Sequence, residues 1–218
     1  SARESTLNAH YTSPAIIRSI YDALDKMGFE KGNVLEPAMG IGNFFGMLPE
    51  KMQEMLDRDT ADIQYFASRY FNHDSIFFIG RNLDYAMGME GSLKLKEISY
   101  IHSEAYASGE LKHGTISLIE HGTLVVALGT YAPLFDKAMS NVVEVKARGA
   151  EVLALTTEDF REKMEKTADA TVAVPVTHPV LQPSLGVVPL QLFSYYVALQ
   201  RGCDIDKPRN LAKSVTVE

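Results

Sequence analysis

Residues 75–114 read SIFFIGRNLDYAMGMEGSLKLKEISYIHSEAYASGELKHG, and the fold follows from how this stretch is divided. Ser75 to Gly80 is a continuous apolar run closed by glycine, the pattern of a strand buried on both faces of a parallel sheet. The segment after it reads as a buried helix, yet from Glu90 to Gly114 it carries ionisable residues more densely than any other part of the chain. At about 100° per residue, Glu90, Lys94 and Glu97 fall on one face, so two carboxylates and an ammonium line a single stripe. His113 comes after a short break at Gly109. Acid, base and amine within reach of one another suit proton transfer. The same spacing suits an exposed ladder of ion pairs, each contributing only about 0.2–0.5 kcal/mol. Burial, which spacing does not reveal, separates the two readings.

Outward from this stretch the chain alternates. Upstream, Ile63, Phe66, Ala67 and Tyr70 make one apolar helix face. Downstream, strand candidates at Thr123–Leu128, Glu151–Leu155 and Thr171–Val174 are separated by helical stretches near Leu134–Ala147 and Glu158–Lys166. Alternating strands and helices imply an α/β fold, a parallel sheet with helices on both faces. A last helix, Pro189 to Gln200, is apolar on nearly every side, as expected if it lies between the sheet and another subunit or domain. The tail from Asp204 to Glu218 is polar and irregular.

Composition narrows the function. With 46% hydrophobic residues in 218, the chain can build a sizeable core. Lys and Arg number 21 against 28 Asp and Glu, a net charge of −7, and no basic cluster offers a broad face to nucleic acid. Cys203 is the single cysteine, which excludes a disulfide framework and a thiolate metal cluster and fits a cytoplasmic location. His73, His102, His121 and His178 lack ligand spacing to one another, so no metal is expected. No apolar run approaches the ~20 residues of a membrane span.

The N-terminal region has a different character. Ser13-Pro14 opens a helix whose period runs through Ile17, Ile20, Tyr21 and Leu24 to a stop at Gly28, and Asn33-Val34-Leu35 is a short strand candidate. The turn Gly40-Ile41-Gly42 comes next, of the kind that lets a backbone approach a nucleoside or phosphate. HYTSP at residues 10–14 with NVLEPAMGIGNFF at residues 33–45 resembles the start of an adenine-specific DNA methyltransferase domain, in which Gly40 and Gly42 would touch S-adenosylmethionine. The resemblance covers about residues 9–48. No Asn/Asp-Pro-Pro-Tyr/Phe motif is found downstream to position a target adenine, so no working methyltransferase and no cofactor are expected. Leu48-Pro49-Glu50-Lys51-Met52 reads as a seam, giving an N-terminal fragment at 1–52, a main domain at 53–203 and a tail at 204–218.

From about Asp62 to Glu218 the chain is similar, nearly residue for residue, to the C-terminal sugar isomerase (SIS) subdomain of the glutamine–fructose-6-phosphate aminotransferase family, the glucosamine-6-phosphate synthases. The motifs that carry this are FFIGRNLDYAMGMEGSLKLKEISYIHSEAYASGELKHG and the terminal DKPRNLAKSVTVE. The resemblance implies a three-layer αβα sandwich around a five-stranded parallel sheet, beside a short N-terminal helix-strand-turn fragment. It implies conversion of fructose 6-phosphate and glutamine to glucosamine 6-phosphate and glutamate, with these sugar phosphates as ligands, no cofactor, and a homodimer.

Carried onto this sequence, the resemblance makes Glu97 the acid/base that moves a proton between the first two sugar carbons, with Lys94 assisting at the oxygens and Glu90 beside them. His113 matches a ring-opening histidine that reaches a neighbouring subunit's site, Lys213 a lysine that forms a Schiff base with the open-chain ketose, and Arg209 an anchor of the tail. The family's glutaminase domain begins with a catalytic cysteine, whereas this sequence begins Ser1-Ala2-Arg3, so glutamine hydrolysis is not expected of it. The Ser/Thr-rich phosphate loop of the first isomerase subdomain is also not found; Ser108-Gly109-Glu110 is only an echo of it. Weak isomerisation by the chain alone is therefore expected. The alternative is a non-catalytic module that binds a sugar phosphate or mediates dimerisation.

Overall fold

The computed structural model describes residues 50–209. Helix α1 (Glu50–Tyr70) leads into β1 (Ser75–Gly80), α2 (Leu83–Ser99) and β2 (His102–Ala107). Two short 3-10 turns, Ser108–His113 and Thr115–Leu118, connect to β3 (Leu124–Gly129). After a further turn at Ala132–Leu134 come α3 (Phe135–Lys146), β4 (Glu151–Thr157), a turn at Glu158–Phe160, α4 (Arg161–Glu165), β5 (Ala170–Val174) and α5 (Gln182–Gln200).

The five strands form one parallel sheet in the order β2-β1-β3-β4-β5. Side chains alternate across it and feed two separate cores. Ile76, Phe78, Val126, Leu128, Leu153, Leu155 and Val172 face α1, α2 and α5. Phe77, Ile79, Val125, Ala127, Val152 and Ala154 face α3 and α4, where Phe135, Val142, Val145 and Met164 meet them. This is the three-layer sandwich expected from the sequence. The expected face of α1 holds as well, with Ile63, Phe66, Ala67 and Tyr70 all buried. The helix starts at Glu50, so the seam expected at Leu48–Met52 falls at the first described turn, and Met52 and Met55 are both buried in the core.

Three local expectations are corrected. The stretch read as helical up to Gly109 ends its helix at Ser99, where Tyr100 adopts a left-handed conformation (φ 63°, ψ 15°) and donates its amide to Lys96. His102–Ala107 is the fifth strand. Its polar composition hid it because it is the sheet edge, mostly half-exposed, and needs no continuous apolar run. The last helix begins at Gln182, not Pro189, and carries that proline inside it. The main-chain hydrogen bond that Pro189 cannot make is offset by burial of Leu185, Val187, Val188 and Leu190 around it. The layers covering α5 are α1 and α2 of the same domain, together with the sheet.

The inner face of α2 is built from small residues. Gly88, Gly91, Ser92 and Ser99 are buried there beside Met87 and Leu95. A Cβ on Gly91 would lie 2.8 Å from Leu190 and 3.0 Å from Phe78, so α5 and the sheet approach the helix backbone directly. Ser92 and Ser103 share a buried hydroxyl contact of 2.9 Å that ties α2 to β2. The polar stripe of α2 is consequently held at a fixed rotation about the helix axis. The helix-strand-turn and the Gly40/Gly42 loop expected within residues 1–49 lie outside the described residues, as does Lys213.

Candidate functional site

With its small-residue face against the sheet, α2 turns Glu90, Lys94 and Glu97 outward as one stripe. Lys94 Nζ lies 2.9 Å from Glu97 Oε2 and 3.4 Å from Glu90 Oε1. The three side chains are 25–32% exposed, a range set by Lys94 at the low end and Glu90 at the high end. This is neither a solvated ladder nor a buried triad. Burial of the Lys94 ammonium pulls its pKa down, but the Glu97 hydrogen bond and the two carboxylates outweigh it and hold Lys94 above the ordinary lysine range. Lys94 is therefore a cation at neutral pH, able to donate and unable to act as a base.

The stripe lies on an open helix face beside exposed Met89 and Leu93. Among the described residues, two cavities lie elsewhere, and neither is lined by Glu90, Lys94 or Glu97. One, of about 440 Å³, sits at the N-terminal ends of β4 and β5, where the Arg69–Glu151 and Lys146–Asp169 ion pairs line it. The other, of about 120 Å³, opens at the C-terminal ends of β3 and β4 between Leu83, Thr130, Tyr131, Thr157 and Gln182.

The tail reaches the same helix. Asp204 Oδ1 accepts the amides of Asp206 and Lys207, turning the chain after α5. Arg209 then donates its amide to Tyr100 Oη at 2.8 Å and lays its guanidinium over the Tyr100 ring, 4.1 Å from the centroid. Tyr100 caps α2 three residues beyond Glu97, so the tail leaves the described chain at the end of α2 that carries the stripe. His113 lies apart. It is 75% exposed on the Ser108–His113 turn, and its ionic neighbour is Glu110 at 4.0 Å.

Sequence reasoning missed Asp84. In the first turn of α2 this carboxylate is 2% exposed. Asp84 Oδ2 accepts the amides of Thr130 (3.0 Å) and Tyr131 (3.1 Å), and Oδ1 accepts the Thr130 hydroxyl at 2.5 Å. Burial pushes Asp84 above the usual aspartate range, against the pull of these three donors. The available signal was an acid four residues past the glycine that closes β1. Among the described residues no group of three His, Cys, Asp or Glu side chains converges as metal ligands. No helix among them is long and apolar enough to cross a membrane.

The family model of the SIS domain matches residues 69–201. The chain belongs to the SIS domain family. This SIS domain is 56% identical over 171 residues to glutamine–fructose-6-phosphate aminotransferase (isomerizing) of Clostridium acetobutylicum, a match covering 78% of this chain and 28% of that protein. The corresponding protein of Caldanaerobacter subterraneus is 57% identical over 171 residues, with the same coverage. The SIS domain also superimposes on the C-terminal domain of glucosamine-fructose-6-phosphate aminotransferase from Francisella tularensis with a TM-score of 0.67 and 36% identity, covering 72% of this chain and 44% of that one. The match spans little more than a quarter of the length of these curated relatives.

Proposed function

We propose that the chain is the sugar-isomerase half-site of a glutamine–fructose-6-phosphate aminotransferase, binding a ketose 6-phosphate and moving a proton between its first two carbons. The observation that carries this reading is the Lys94–Glu97 contact of 2.9 Å on an outward face of α2, one turn from the residue that anchors the tail. In the open-chain sugar, the Glu97 carboxylate takes a proton from C1 and returns it to C2. The Lys94 ammonium stabilises the oxygen on which negative charge develops between those steps. Lys213 is four residues beyond Arg209, a reach of at most about 14 Å; it forms an imine with the ketose carbonyl, releasing water, and water hydrolyses that imine to restore the carbonyl and the free amine before the proton moves. Glu90 holds Lys94 in line.

The open setting of the stripe supports a site completed by another surface. That surface supplies the phosphate grip, and a homodimer in the cytoplasm brings the partner copy's equivalent of His113 to the sugar ring for opening. The test is fructose 6-phosphate isomerisation by this chain mixed with a separately expressed first isomerase subdomain from a relative. The mixture is expected to exceed either part alone, and Glu97→Gln or Lys213→Ala to abolish the gain. A gain untouched by Glu97→Gln overturns the assignment; no gain, with sugar phosphate still bound, favours a non-catalytic binding module.

A further inference from the structure

In this sheet β1 and β3 are neighbours whose onward connections run in opposite directions, β1 toward β2 and β3 toward β4. Open α/β sheets bind ligands in the crevice at the carboxyl ends of such a strand pair, where backbone amides and a helix N-terminus favour an anion. All these parts are present here. The amides of Thr130 and Tyr131 turn inward at the end of β3, the N-terminus of α2 stands opposite, and the 120 Å³ cavity opens beside them. The seat itself holds the Asp84 carboxylate, which takes both amides and the Thr130 hydroxyl while 2% exposed. Gly80 makes this possible. A Cβ there would stand 2.5 Å from the Asp84 backbone carbon, so only glycine lets the first turn of α2 press onto the end of β1.

We propose that Asp84 is a built-in anion that fills the switch-point crevice of this domain and closes it to phosphate. The occupancy of the crevice does not rest on the sugar-phosphate reading of the domain. An Asp84 carboxylate presents two acceptor oxygens to donors that would otherwise face a phosphate. An entering dianion would meet a like charge a few ångströms away and find the Thr130 and Tyr131 amides already taken.

The test is a titration of the full 218-residue chain with inorganic phosphate at constant ionic strength, following the amide resonances of Thr130 and Tyr131. In the unaltered protein and in Asp84→Asn, which keeps an acceptor oxygen in place, both resonances are expected to stay put through millimolar phosphate. In Asp84→Ala the two amides lose their acceptor beside a cavity, and both resonances are expected to move and saturate. If Asp84→Ala does not fold unaided, refolding is compared in phosphate and in chloride, and recovery in phosphate alone is the expected result. Saturable shifts in the unaltered protein overturn the proposal, as does a folded Asp84→Ala that ignores phosphate or one that refolds equally in both salts. None of these readouts involves turnover, so their failure is distinct from a failure of Glu97→Gln to abolish isomerisation.

Discussion

Arg209 and Tyr100, 109 residues apart in sequence, clamp the start of the tail to the end of α2 through one main-chain hydrogen bond of 2.8 Å and a cation over an aromatic face at 4.1 Å. An exposed contact of this kind is worth about 0.5–1 kcal/mol. Its consequence is positional, because it fixes where residues 210–218 begin.

Removing the clamp is therefore expected to loosen the tail and leave the fold alone. Tyr100→Ala should speed tryptic cleavage after Arg209 several-fold, with Tyr100→Phe intermediate, because the phenylalanine keeps the ring and loses the acceptor oxygen. Unfolding midpoints in urea should move by no more than the equivalent of about 1 kcal/mol. Cleavage rates equal to the unaltered chain would show that the tail is held by something else.

For the stripe, activity and stability are expected to separate. Glu97→Gln leaves Lys94 its second partner, Glu90, at 3.4 Å, so stability should change by about 0.5 kcal/mol or less. In the complemented isomerisation assay the same substitution should cost about 10²–10⁴-fold. Lys94 has a raised folded pKa, so its contribution to stability is full below about 10.4 and is lost as pH rises through the folded value. Alkaline unfolding of Lys94→Met should accordingly show a shallower loss above that pH than the unaltered protein. An identical alkaline profile would argue that the pair contributes nothing.

Asp59 is a buried charge held by two arginines. Its carboxylate is 1% exposed and meets Arg58 at 2.7 Å, Arg161 at 2.9 Å and the amide of Ala173 at 3.0 Å, joining α1, α4 and β5. Burial pushes its pKa up, but Arg58, Ala173 and Arg161 outweigh it and hold Asp59 below the usual aspartate range. Its contribution is thus present above about pH 3.9 and lost as pH falls through the lower folded value. Asp59→Ala removes the partner that Arg58 and Arg161 share and leaves the buried Ala173 amide without its acceptor, and is expected to destabilise the domain by about 1–3 kcal/mol near neutral pH, with a smaller difference in acid. Urea unfolding at both pH values measures this, and a pH-independent difference would contradict it.

Two glycines should respond differently to alanine. At Gly80 the new methyl meets backbone, Asp84 C at 2.5 Å and Tyr85 N at 2.7 Å, so α2 has to shift; a cost of about 1–3 kcal/mol is expected. At Gly186 it meets Met87 Sδ at 2.3 Å, the flexible part of a side chain that can swing aside, and alanine recovers about 0.8–1 kcal/mol of helix propensity. Thermal unfolding should rank Gly186→Ala well above Gly80→Ala. The reverse order would mean that Met87 has no room to move.

Four of the five strands were legible because each is a short, mostly apolar run buried on both sides, and the faces of α1 and α2 were legible because helical spacing alone determines which side chains share a side. Glu90, Lys94 and Glu97 belong to one stripe for that local reason. Strand β2 was not, since HSEAYA on a sheet edge resembles the polar end of a helix. The resemblance to a five-stranded family supplied the number of strands but not the place of this one.

What the chain alone determined was thus the layer order, the identity of the stripe and the family. What only the tertiary structure decided was how far the stripe is buried, and which distant groups meet. Thr130 lies 46 residues from Asp84, and Arg209 lies 109 from Tyr100. No periodicity links such positions. The sheet brings the end of β3 against the start of α2, and the return of α5 carries the tail past the end of α2, so both contacts exist only once the layers have closed.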